Sequence, residues 1–219
     1  MLRIDSLLTY ENTLASELLK KYEYPWEVLP EIKDYILNIA EQLDPNLYTE
    51  IFPQVWVHNS VKIAPTASIN GPCIIDEGSE IRHCAFIRGS ALIGKNCVVG
   101  NSCELKNSIL IEKVEVPHYN YVGDSILGIR AHLGAGAITS NIKSDRKNII
   151  VRHNDTLHET GLRKIGAIVG DGVEVGCNSV LNPGTIIGRG SRIYPLSMVR
   201  GYVPANSIYK SKQDICELD

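Results

Sequence analysis

A mainly β fold, a parallel β-helix of hexapeptide coils with a small N-terminal helical cap, is what this sequence predicts. Three observations carry that reading. Aliphatic residues recur every six positions at Val57, Ile63, Ile69, Ile75, Ile81, Ile87, Ile93, Val99, Leu105 and Ile111. The residue four places after each is usually small, as at Ala67, Cys73, Ser79, Ala85, Ala91, Cys97 and Cys103. Before Val57 the apolar spacing is instead that of helices.

A period of six fits neither the 3.6-residue turn of a helix nor simple strand alternation. It fits short strands joined by tight turns, each step sending one aliphatic and one small residue inward. Three steps close one triangular coil, and coils stack at about 4.8 Å. The pattern shortens between Ile111 and Val116 and again between Val122 and Leu127, then reaches Leu133. After a gap it returns at Val169, Val175, Leu181, Ile187, Ile193 and Val199.

Residues 1–52 read as the helical cap. Leu14, Leu18 and Leu19 share one face, as do Ile32, Ile36, Ile39 and Leu43, with Asp44-Pro45 as a stop and Pro25 and Pro30 between the two helices. Residues 53–204 form the coils. The polar stretch 142–163 is an insertion, expected as an arm that reaches a neighbouring subunit. Residues 205–219, with Lys210 and Lys212, read as a loose tail.

Composition narrows the function. A formal charge of -3 argues against a general nucleic-acid or anionic-membrane binder. No apolar run approaches the roughly 20 residues of a membrane span, and no signal peptide is evident. Six cysteines without a CxxC pair read as reduced thiols of a cytoplasmic protein, with no disulfide framework and no tightly bound metal.

The residues able to carry chemistry cluster between 88 and 141. Arg88 and Lys106 each follow an inward aliphatic one coil apart, so they stack on one face. Like charges so placed repel unless an anion lies between them, and a phosphate is such an anion; two solvated surface cations are the alternative. His118 follows a shortened step, and a histidine suits general-base work, although a lone one is often structural. Tyr121 offers a hydroxyl to a ligand or covers the coil edge. Asn141 stands where the insertion leaves the coils, a place equally suited to turning the chain.

The run ELKNSILIEKVEVPHYNYVGDSIL, followed by LGAGAITSN, resembles the left-handed β-helix acetyltransferase domain of bifunctional N-acetylglucosamine-1-phosphate uridyltransferase/glucosamine-1-phosphate acetyltransferases. The stretches TGLRKIGAIVGDGVEVG and LNPGTIIG are similar to the matching domain of archaeal sugar-1-phosphate nucleotidylyltransferases. This resemblance implies the left hand of the helix, a homotrimer with sites between subunits, and acetyl-CoA as acetyl donor. It also implies an amino-sugar 1-phosphate as acceptor, glucosamine 1-phosphate or galactosamine 1-phosphate, in nucleotide-sugar biosynthesis for the cell envelope.

Residue by residue, the resemblance makes His118 the base and Asn141 its catalytic companion. Arg88, Lys106 and Lys147 fall on the phosphate-holding positions, Tyr121 on a sugar contact, and His132 where the family has a sugar-binding asparagine. Ala135, Cys177 and Pro195 fall on positions near the acetyl-CoA. Uridyl transfer is not expected, because no glycine-rich nucleotide signature precedes the coils. Two other readings stand beside the enzyme: a non-catalytic assembly or effector subunit of a sugar nucleotidyltransferase, and a zinc enzyme using His118, His153 and His158. The last two histidines lie in the irregular insertion, which disfavours the zinc reading.

Overall fold

The computed structural model describes all residues except 155, 212–213 and 218–219. Its strands stack in register on three faces of a parallel β-helix, the fold class expected from the six-residue period. The first face carries Ser68–Ile69, Phe86–Ile87, Ile138–Thr139, Val180–Leu181 and Met198–Val199, with the leading halves of Glu104–Leu110 and Tyr121–Leu127 between them. The second carries Val55–His58, Cys73–Ile75, Ala91–Ile93, the trailing halves of the same two long strands, Ala167–Val169, Thr185–Ile187 and Tyr202–Val203. The third runs from Lys62–Ile63 through Glu80–Ile81, Val98–Asn101, Glu115–His118, His132–Leu133, Glu174–Val175 and Arg192–Ile193.

The six-residue column fills the axis, and Cys73, Cys97 and Cys103 take the small slots within it. One position differs from the expectation. Leu110, not Ile111, is the inward residue, paired in register with Ile93, while Ile111 faces outward into a second apolar layer. The first shortened step therefore runs from Leu105 to Leu110, not from Ile111 to Val116. Both shortened steps now fall on the corner between the first and second faces. There Asn107 and Asp124 adopt positive φ (48° each), and the strands Glu104–Leu110 and Tyr121–Leu127 continue through the bend. The gap after Leu133 is filled by Thr139, fully buried at the inward position, whose hydroxyl accepts from the Gly123 N–H at 2.9 Å.

The second face has a cover. Its outward residues Ile74, Leu92, Ile109, Ile126, Ile168 and Ile186 are buried with Leu18, Leu19, Trp26, Val28, Leu29, Ile32 and Ile36 of the N-terminal segment. Burial of each such side chain contributes about 1.5–3 kcal/mol, so this layer fixes the cap to the coils. The cap is less helical than its pattern predicts. It contains short helices Ile4–Leu7 and Ser16–Leu19, a 3-10 stretch Pro25–Glu31 and the helix Ile32–Ala40. Pro25 and Pro30 sit inside the 3-10 stretch, which lacks the i→i−4 bonds a proline would break. Residues of Tyr48–Phe52 form a strand, antiparallel to Val55–His58, in place of helix.

The insertion also departs from its expected course. A bridge between Ile142 and Lys164 closes its base, and Ile150–His153 pairs with Thr156–Glu159 as a hairpin. Ile149, Val151 and Ile165 join the same apolar layer as the cap, and the His158 ring lies 5.2 Å from Tyr24 and 5.8 Å from Trp26. The arm thus folds onto its own chain. The tail is not loose either: Ser207–Ser211 extends the third face beside Arg192–Ile193 and turns back into Asp214–Glu217. Tyr209 plugs the end of the core at 3% exposure. Lys212 lies outside the described residues.

Candidate active site

The tight corner between the first and second faces gathers a polar cluster. Arg88 Nη1 donates to Glu104 Oε1 at 2.7 Å. One coil further, Lys106 Nζ donates to both oxygens of Asp124 at 3.1 Å. Asn107 Nδ2 donates to Asp124 Oδ1 at 2.9 Å, and Asn141 Nδ2 donates to Asp124 Oδ2. Asn141 Nδ2 also donates to the Tyr121 hydroxyl oxygen at 3.2 Å. Four of the expected positions, Arg88, Lys106, Tyr121 and Asn141, share one neighbourhood, the last three within reach of a carboxylate, Asp124, that the sequence reading missed.

Asp124 is 4% exposed, and its ion pair with Lys106 is half sheltered, with side-chain exposures of 26% for the lysine and 6% for the aspartate. Arg88 is more open, at 46%. Its guanidinium has five N–H donors and gives one to Glu104, so among the described residues the rest of its fork has no acceptor and can take an anion. Burial raises the Tyr121 pKa, and the Asp124 and Glu104 carboxylates raise it further. The hydroxyl therefore keeps its proton at neutral pH and can donate it.

A second group lies at the other edge of the first face, where the third face turns into it. His118, Ala135, Cys177 and Pro195 occupy successive coils there. Backbone bonds lock the stack: Gly136 N to His118 O at 2.9 Å, Asn178 N to Ala135 O at 2.8 Å, and Leu196 N to Cys177 O at 2.9 Å. The His118 side chain is exposed and its ring makes no hydrogen bond among the described residues. Its loop is held by Asn120, 2% exposed, whose Oδ1 accepts from His118 N at 3.0 Å and whose Nδ2 donates to the Gly134 and Ala137 carbonyls at 2.8 and 3.0 Å. A Cβ at Gly134 would stand 2.7 Å from Cys177 N, so only glycine lets these coils close up. Cys177 is an exposed free thiol.

Two expected contacts stand apart from both groups. His132 projects from the third face, its Nδ1 2.7 Å from Glu174 Oε2. Lys147 lies in the exposed turn that opens the insertion, where its backbone N–H donates to Asp145 at 3.1 Å. The insertion histidines pack on aromatic rings, His153 edge-on to Tyr202 and His158 beside Tyr24 and Trp26. No group of three His, Cys, Asp or Glu side chains suited to a metal occurs among the described residues.

Comparison with known proteins places the chain among its relatives. The chain is similar to the bifunctional protein GlmU of Methanococcus maripaludis strain C5, 32% identical over 210 residues, which cover 88% of this chain and 47% of that protein. It is also similar to the bifunctional sugar-1-phosphate nucleotidylyltransferase/acetyltransferase of Sulfurisphaera tokodaii, 32% identical over 174 residues, 71% of this chain and 43% of that one. The chain thus spans about half the length of these curated relatives. Among solved structures, the polySia-specific acetyltransferase NeuO aligns at TM-score 0.40 and 17% identity, over 74% of this chain and 81% of that one. A family model described as the GMPPB C-terminal domain matches residues 69–187, which include the polar corner and, of the second group, His118, Ala135 and Cys177. The chain belongs to that family.

Proposed function

We propose that this protein transfers an acetyl group from acetyl-CoA to the amine of an amino-sugar 1-phosphate. The observation that carries the reading is the pairing of two corners across one face. A column of Ala135, Cys177 and Pro195 stacks in line with His118 at one corner, and a cation-bearing polar cluster ends in Asn141 at the other. The first suits the extended arm of acetyl-CoA and the second suits a phosphorylated sugar.

In the reaction, His118 takes a proton from the amine as its nitrogen attacks the thioester carbonyl. The C–N bond forms, the C–S bond breaks, and the imidazolium returns the proton to the departing CoA thiolate. Arg88 and Lys106 hold the phosphate, so that binding energy positions the amine. Lys147 and His132 stand apart from that corner in one chain, and this reading gives them to the acceptor only as positions the family resemblance assigns.

His118 and Asn141 stand at different corners of one chain, so the site is completed in a homotrimer, where the His118 corner of one protomer faces the polar corner of the next. Apolar side chains on the first face support self-association. Phe86 and Met198 are 37% and 65% exposed, and Tyr194 and Leu196 beside them are 46% and 79% exposed. The donor is a metabolite of the cytoplasm, and that is the compartment this reading gives the enzyme. No helix among the described residues is long and apolar enough to cross a membrane. A thiol-release assay with acetyl-CoA and a panel of hexosamine 1-phosphates tests the proposal. Release with a phosphorylated amino sugar supports it, and no release with any of them favours a β-helix effector subunit.

A further inference from the structure

We propose that Asp124 is a positioning residue that fixes which atoms of Asn141 and Tyr121 face the ligand; the catalytic side of this inference rests on the acetyl-transfer reading above. An ionised carboxylate only accepts hydrogen bonds. Asn141 must therefore turn its NH2 group toward Asp124 Oδ2, and the same nitrogen spends its other proton on the Tyr121 oxygen at 3.2 Å. Both amide protons are used, and Asn141 Oδ1 has no hydrogen-bond partner among the described residues. The amide thus offers an acceptor to the site. Tyr121, having accepted from Asn141, keeps its own O–H as a donor.

The geometry of the carboxylate suits this task. Oδ1 accepts from Lys106 and Asn107, and Oδ2 from Lys106 and Asn141, so each oxygen holds two donors and the group cannot rotate without losing them. Asp124 is 4% exposed and sits at φ 48°, in the left-handed region that aspartate tolerates better than most residues. The shortened corner puts it there, one coil above Asn107. Asn141 then presents its carbonyl oxygen to the N–H of the attacking amine, steering the nitrogen lone pair toward the thioester. It does not serve as a donor to the oxyanion.

Reciprocal exchange tests this. Asp124→Asn removes the acceptor-only group and lets the Asn141 amide flip, and Asn141→Asp sets two carboxylates against each other. Each should lower kcat by roughly tenfold to a hundredfold, with a smaller change in the KM for acetyl-CoA. The double exchange restores one donor facing one acceptor, with an oxygen still toward the amine, and should recover at least part of that loss. A folded Asp124→Asn protein with wild-type kcat, or a double exchange no better than either single change, overturns the inference.

A second readout uses the wild-type protein and does not need turnover. In a 15N spectrum the Asn141 side-chain amide, assigned by its loss in Asn141→Asp, should be shifted strongly downfield and protected from exchange. A free, rapidly exchanging amide overturns the inference even if Asp124→Asn fails to fold. If the wild-type enzyme releases no CoA, the acetyl-transfer reading falls, while this resonance still supports or overturns the polarity set by Asp124.

Discussion

Asn107 joins the N-terminal cap to the polar corner through one nitrogen: Nδ2 donates to the Leu29 carbonyl at 3.2 Å and to Asp124 Oδ1 at 2.9 Å. The cap is therefore more than a cover, because it touches the carboxylate that holds Lys106 and Asn141. Asn107→Gly keeps the backbone freedom that φ 48° requires and removes the amide. Leaving a buried acceptor short of a donor costs about 1–3 kcal/mol. We expect a lower urea midpoint and a raised KM for the sugar phosphate. An unchanged KM would mean that the bridge serves stability alone.

The cap should fail before the coils do. Leu92 is 1% exposed and points from the coil into the cap layer. Leu92→Ala is expected to cost about 2–5 kcal/mol through lost burial and a residual cavity. Limited proteolysis of that variant should cut within residues 1–40 while the coils stay intact. Simultaneous loss of both regions would show that cap and coils unfold as one unit.

Phosphate recognition predicts a split between the two cations. Arg88, open and with most of its fork free, should account for most of the phosphate contact, and Arg88→Ala should raise the KM for the sugar phosphate roughly tenfold or more. Lys106→Met should do the same and also destabilise, because it strands the buried Asp124. Equal turnover of phosphorylated and unphosphorylated amino sugars would reduce the pair to surface ion pairs.

The cysteines test the proposed donor column. Burial pushes the Cys97 thiol up to about 12 and raises those of Cys73 and Cys103, so none of these should react with a disulfide reagent near pH 8. Cys84 and Cys177 are exposed and should label promptly. Acetyl-CoA should slow labelling at Cys177 and leave Cys84 unchanged. Equal protection at both, or at neither, would remove Cys177 from the donor path.

The repeat made the coils legible because each inward slot demands an aliphatic side chain, and that demand recurs without exception from Val57 to Leu105. It failed at Ile111 because two adjacent aliphatics, Leu110 and Ile111, face opposite sides of the wall. The outward column Ile74, Leu92, Ile109 and Ile126 stands in the sequence as doubled aliphatics on every third step, a sign of the cap interface that the six-residue period alone passes over. Arg88 and Lys106 were legible through their one-coil spacing, and Tyr121 and Asn141 were singled out by the family resemblance. Asp124 and Asn107 were not, since their importance comes from a corner one residue short, which only the three-dimensional register reveals.

The assembly prediction follows from the exposed first face. Sedimentation at micromolar concentration should give the mass of three 24.2 kDa chains, and Met198→Glu should shift it toward one. A wild-type monomer that turns over substrate would break the shared-site arrangement.

The central claim is tested most directly by CoA release from wild type and His118→Ala with glucosamine 1-phosphate and galactosamine 1-phosphate, run beside melting curves of both. His118 is exposed and its ring makes no hydrogen bond among the described residues, so the variant should fold and assemble as wild type does. A positioned base contributes about 10²–10⁴-fold, so kcat should collapse by that factor while acetyl-CoA binding persists. Undiminished CoA release by a folded His118→Ala protein would contradict the account.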